Sequence, residues 1–136
     1  MKGVREMVKL FDHVHLFCSD VERMAKFFED FLEAKVTVRG EMGGRPMVRM
    51  DLKGIMVILA TATAVDQLGP GKGSRGLDHF GIQGQDLKNA MEEIKKKGGK
   101  FSVDYTITGP PTWPVGTKYA FLDGPDGVRV ELVERP

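Results

Sequence analysis

His13, His15 and His79 are the three histidines of this 136-residue chain, and they are its natural starting point for chemistry. "LFDHVHLFCSD" sets the first two at a spacing of two inside an apolar run, and "GLDHFGIQGQD" carries the third. A neutral imidazole can ligate a metal ion or move a proton near pH 7. A carboxylate among apolar neighbours, Glu131 in "VRVELVE", must be paired, liganding or exposed to water. Two imidazoles and one carboxylate on one side of a divalent ion would leave positions for water and substrate.

Positioning these groups falls to the strands that hold them. Side chains alternate along a strand, so His13, His15 and Phe17 share one face, opposite Val14, Leu16 and Cys18. In the last strand Arg129, Glu131 and Val133 share a face in the same way. "SD" after the first strand offers an N-cap for a helix over about 21–34. Its apolar stripe is Val21, Met24, Phe27, Phe28, Phe31 and Leu32. "AKVTVRG", "MVRMDL" and "IMVILATA" then read as strands, separated by "GEMGGRP" and by a tight turn at "KG".

After the Gly-rich "DQLGPGKGSRG" the pattern starts again: strand to a capping Asp86, helix "LKNAMEEIKKKGGK", then strands "KFSVDYTIT", "TKYAFLD" and "VRVELVER". "FDHVHLFCSDVERM" lies over "LDHFGIQGQDLKNA" at an offset of 66 (79 − 13), placing His13 on His79 and Asp20 on Asp86. "KGIMVILAT" lies over "DGVRVELVE" at an offset of 73 (131 − 58), placing Gly54 on Gly127 and Ile58 on Glu131. The same succession of elements with matching anchor residues implies a duplicated βαβββ unit. The expectation is one α+β domain over 1–136, with module one at about 9–64, a connector at about 65–76 and module two at about 77–136. If the sheets of both modules cup a common cavity, His13, His79 and Glu131 converge on one divalent ion.

Composition narrows the partners. Lys+Arg 20 against Asp+Glu 19 leaves no basic excess, and no basic stripe interleaves with aromatics, so nucleic acid is not expected. The lone Cys18 forbids an intrachain disulfide and fits a reducing compartment. No continuous apolar run suggests a signal peptide or a membrane span. A cytoplasmic protein with a small-molecule substrate is the expectation. "GPGKGS" has Gly73 where a phosphate-binding loop needs Ser or Thr, and it precedes a strand, so it reads as a linker.

"DHVHLFCSDVERMAKFFEDFL", "LDHFGIQGQDL" and "FLDGPDGVRVELVE" resemble the vicinal oxygen chelate superfamily. It includes glyoxalase I, methylmalonyl-CoA epimerase, extradiol dioxygenases, fosfomycin-resistance enzymes and bleomycin-binding proteins. The resemblance runs from about residue 9 onward. It implies a cupped mixed sheet around a metal cavity and a substrate that chelates through adjacent oxygens. It places the metal ligands at His13, His79 and Glu131, and it makes a homodimer the expected assembly. Glyoxalase I and the epimerase usually add Glu or Gln from the last strand of module one, where this chain has Ile58. Three protein ligands are therefore expected, for Fe, Mn, Co, Ni or Zn.

The catalytic set expected here is His15 with Glu131. His15 aligns with Gly81, so the duplicated fold does not require it, and it can serve as base or acid about 7 Å along the strand from His13. Phe17, Met56 and Ile58 would make the wall apolar, with Trp113, Tyr119 and Arg129 as further pocket candidates. A glyoxalase- or epimerase-like lyase or isomerase is the first reading. A small Fe(II) extradiol-type dioxygenase is the second, and a metal-free sequestering protein of the bleomycin-resistance kind is the third.

Overall fold

In the computed structural model, Met7, residues 11–62, Leu77 and residues 79–110 and 113–136 are described. The connector and its "GPGKGS" stretch lie outside them. The chain divides into two compact units, Met1–Thr63 and Ala64–Pro136. Unit one is β1 (His13–Cys18), α1 (Val21–Leu32), β2 (Lys35–Met42), β3 (Arg45–Leu52) and β4 (Ile55–Thr61). Unit two repeats this as β5 (Phe80–Gln83), α2 (Leu87–Lys96), β6 (Lys100–Thr108), β7 (Thr117–Asp123) and β8 (Arg129–Glu134). Each unit is βαβββ, and the fold is α+β.

The sheets have the same topology, β1-β4-β3-β2 and β5-β8-β7-β6. In each, the first strand pairs parallel with the last, and the other neighbours are antiparallel. The parallel pair follows from the intervening helix, which carries the chain across one face of the sheet. The amphipathic stripe of α1 settles against β3 and β4. Met24 and Phe28 are fully buried there, with Val48, Met50, Val57 and Leu59 beneath them. Phe31, at the margin of the stripe, is half-buried and packs edge-on against Phe27 at 5.4 Å. In unit two Leu87, Met91 and Ile94 of α2 are buried, as are Ala120, Leu122 and Val130 of the sheet.

The turns repeat as well. Lys53 and Gly54 have φ of 52° and 94°, and Asp126 and Gly127, their counterparts, 55° and 74°. In the two-residue β3–β4 hairpin, two successive positive φ values are what right-twisted strands demand, and glycine supplies the second without strain; between β7 and β8 the same pair sits inside the longer connection 124–128.

The helix caps differ, contrary to the alignment of Asp20 with Asp86. Asp20 Oδ1 accepts the N–H groups of Glu22 and Arg23 at 3.0 and 3.1 Å, an ordinary N-cap. Asp86 has φ +51° and makes no side-chain cap. Its carboxylate takes the Asn89 amide instead. The open end of α2 is covered from β8: Leu87 N–H donates to Glu134 Oε1 at 2.7 Å, while Lys118 donates to Oε2 at 3.1 Å. The helix N–H first, and then Lys118, hold the Glu134 carboxyl below its ordinary value; the same pair raises Lys118.

Candidate metal centre

In unit two, β5 and β8 run side by side with Gly81 opposite Glu131 and Phe80 opposite Val130. Glu131 is 7% exposed, buried among Val130, Leu132 and Val133. A carboxylate in that setting needs a partner, and its partner is His79: Nε2 lies 3.0 Å from Glu131 Oε1. The expected ligands of unit two are therefore adjacent, one nearly buried and the other partly open to solvent. An imidazole nitrogen and a carboxylate oxygen are both ligand types that divalent ions take.

Phe121, not singled out from the sequence, is the hub around this pair. It is the cross-strand partner of Glu131 on β7. Its ring meets the His79 ring edge-on at 4.8 Å and that of Tyr119 at 6.0 Å. Arg129 is one of the pocket candidates from the sequence. Its guanidinium lies over the Phe121 ring at 4.4 Å. Arg129 also lines a groove of about 440 Å³ with Ser102, Val103, Asp123, Gly124, Gly127 and Val128. Trp113, in its loop, is half-buried beneath the Arg135 guanidinium at 4.3 Å.

In unit one the parallel register of β1 and β4 sets His13 opposite Met56, His15 opposite Ile58 and Phe17 opposite Ala60. His13, His15 and Phe17 are exposed, whereas Cys18 on the alternate face is fully buried. His13 Nδ1 is engaged by the carboxylate of Asp12 at 2.7 Å. That contact orients the ring through Nδ1, the way a carboxylate commonly holds metal-binding histidines. The repeated "DH" was visible in the sequence, but its orienting role needed the distance. The His15 ring leans on Phe17, with centroids 4.8 Å apart. Among the described residues, no three His, Cys, Asp or Glu side chains gather at one point.

The register also tests the repeat itself. His15–Ile58 in unit one and Gly81–Glu131 in unit two are equivalent cross-strand pairs, as the offsets of 66 and 73 require. A Cβ added to Gly81 would meet only ordinary contacts, 3.7 Å to the Glu131 carbonyl oxygen and 3.9 Å to its Cβ. Glycine there is not forced by crowding, and it leaves clear the space beside Glu131 that the His15 ring occupies beside Ile58.

A duplicated βαβββ unit with a His–Glu pair at the first and last strands defines a recognisable class. Residues 10–132 match the family model described as the Glyoxalase/Bleomycin resistance protein/Dioxygenase superfamily, and the chain belongs to that superfamily. Over 129 residues it is 29% identical to a probable chloroplastic lactoylglutathione lyase of Arabidopsis thaliana; the match covers 90% of this chain and 35% of that protein. A glyoxylase/bleomycin resistance protein/dioxygenase domain from Frankia sp. EAN1pec superposes with a TM-score of 0.77 at 19% identity, covering 94% of this chain and 93% of the other. The fosfomycin resistance protein FosX of Listeria monocytogenes, solved with Mn(II) and sulfate, superposes at 0.67 with 14% identity, covering 94% and 93%.

Proposed function

We propose that the chain is a divalent-metal-dependent enzyme, a glyoxalase- or epimerase-like lyase or isomerase for a small substrate with adjacent oxygens. The observation that carries this reading is the buried Glu131 carboxylate held against His79 Nε2. The residues present fit such an ion, with His79 and Glu131 as neighbouring donors and His13, oriented by Asp12, as the third ligand. Bound there, a divalent cation would act as a Lewis acid on developing negative charge. The likeness to a lactoylglutathione lyase supports the lyase reading, and the Mn(II)-bound FosX supports a metal in this fold.

The chain's own residues divide the remaining work. His15, set beside Phe17 and facing Ile58, holds or accepts the mobile proton. Ile58 supplies no fourth donor, so one more position stays with water or substrate. Met56, Ile58 and Phe17 form the apolar wall that favours an aliphatic or aromatic substrate portion. A second copy of the chain is the proposed assembly partner. The absent fourth donor also favours a second reading, a small Fe(II) extradiol-type dioxygenase.

Metal content of protein purified without chelator tests the proposal. A stoichiometric divalent ion is expected in the wild type and is lost in His79→Ala and Glu131→Ala. Wild-type protein that takes up no divalent ion after reconstitution would sink the reading. Formation of lactoylglutathione from a glutathione hemithioacetal, against oxygen uptake with catechols, then separates lyase from dioxygenase.

A further inference from the structure

Arg49 on β3 plays no part in the metal chemistry proposed above. It is the cross-strand partner of Ile58, which in turn faces His15, so all three stand in one row on the sheet face away from α1. Around it on that face are Met47, Ile58 and Val38, none of which offers a side-chain acceptor. Asp51, further along the strand, accepts the Gly54 N–H in the turn. Arg45, on the same face, is engaged: its guanidinium lies 4.6 Å over the Phe17 ring, and it donates to the Thr61 carbonyl.

Arg49 differs from Arg45. Its Nε is buried and, among the described residues, has no hydrogen-bond acceptor. Buried donors are nearly always paired in native proteins, and a donor on a permanently charged group is costly to leave unpaired. The repeated fold does not require the arginine either. The equivalent row of unit two is Gly81–Glu131–Phe121, with Phe121 in the place of Arg49. The residue therefore reads as a donor for whose Nε the described residues supply no acceptor.

We infer that Arg49 binds an oxyanion of the substrate, a carboxylate or a phosphate-type group. A guanidinium presents parallel N–H donors that match either group in two-pronged fashion. Two strand spacings, about 10 Å, separate β3 from β1 across β4. An anion on Arg49 therefore lies over Ile58 with its attached body directed toward His15. The substrate class is an anionic small molecule whose reacting part sits against the histidine strand. Only that last placement rests on the proposed function, because the anion site needs no metal.

The test uses the full chain stripped of metal with EDTA and titrated calorimetrically at constant ionic strength. The probes are benzoate and phenylphosphonate, with benzamide as the neutral control. Wild-type protein is expected to bind at least one anion ten or more times more tightly than benzamide, and the better anion identifies the headgroup. Arg49→Met is expected to lose that preference, and Arg49→Lys to keep part of it. Because Met removes an unpaired donor, Arg49→Met is also expected to melt at or above the wild-type temperature. Anions bound no better than benzamide, or bound equally well by Arg49→Met, would overturn the inference. A lowered melting temperature in Arg49→Met would do so too, by making the arginine structural. Failure of the metal assay alone leaves these outcomes untouched.

Discussion

At the residue scale the two histidines of "DHVH" separate by their neighbours. His13 is held by Asp12, whereas His15 has an aromatic ring beside it. With His13 as the proposed third ligand, Asp12→Ala releases its ring, so metal affinity is expected to fall about 10–100-fold, as read by chelator competition. His15→Gln is expected to keep the metal and lower turnover by about 10²–10⁴-fold; loss of metal in that variant would make His15 a ligand instead. The ligand candidates were legible because the repeat singled them out. Phe121 and Arg49 were not, since an aromatic and a cation in a strand carry no signal until the register shows what stands opposite.

At the scale of elements, nearly every strand and both helices could be read from periodicity and turn chemistry, because a helix over a sheet forces apolar residues onto one face. Legibility failed at the start of α2, where Asp86 looks like a cap and Glu134, 48 residues later (134 − 86), does the capping. A contact so distant in sequence leaves no local trace. Asp20→Ala removes a true cap and is expected to cost about 1 kcal/mol in denaturant melts. Glu134 predicts a pH dependence. Its carboxyl is held below its ordinary value, so its stabilising effect is present above about pH 4.5 and disappears as pH falls through the lowered value. Glu134→Gln should melt lower than wild type at pH 7, and the difference should shrink in acid; an unchanged difference would contradict the assignment. In the core of unit one, Met24→Ala is expected to cost about 2–5 kcal/mol, because Met24 is fully buried.

At the scale of the whole molecule, duplication explains both what the chain keeps and what it changes. Sheet order, register and turns are common to the two units, while the row that crosses the centre of each sheet differs: His15, Ile58 and Arg49 in one, Gly81, Glu131 and Phe121 in the other. One unit carries a carboxylate beside a histidine, and the other carries two histidines and an arginine. The most direct measurement is elemental analysis of the wild-type chain and of His13→Ala, His79→Ala and Glu131→Ala, before and after reconstitution. One divalent ion per chain is expected in the wild type, with a loss in each variant. A wild-type chain without a divalent ion after reconstitution, or variants that keep it, would overturn the metal-dependent function proposed here.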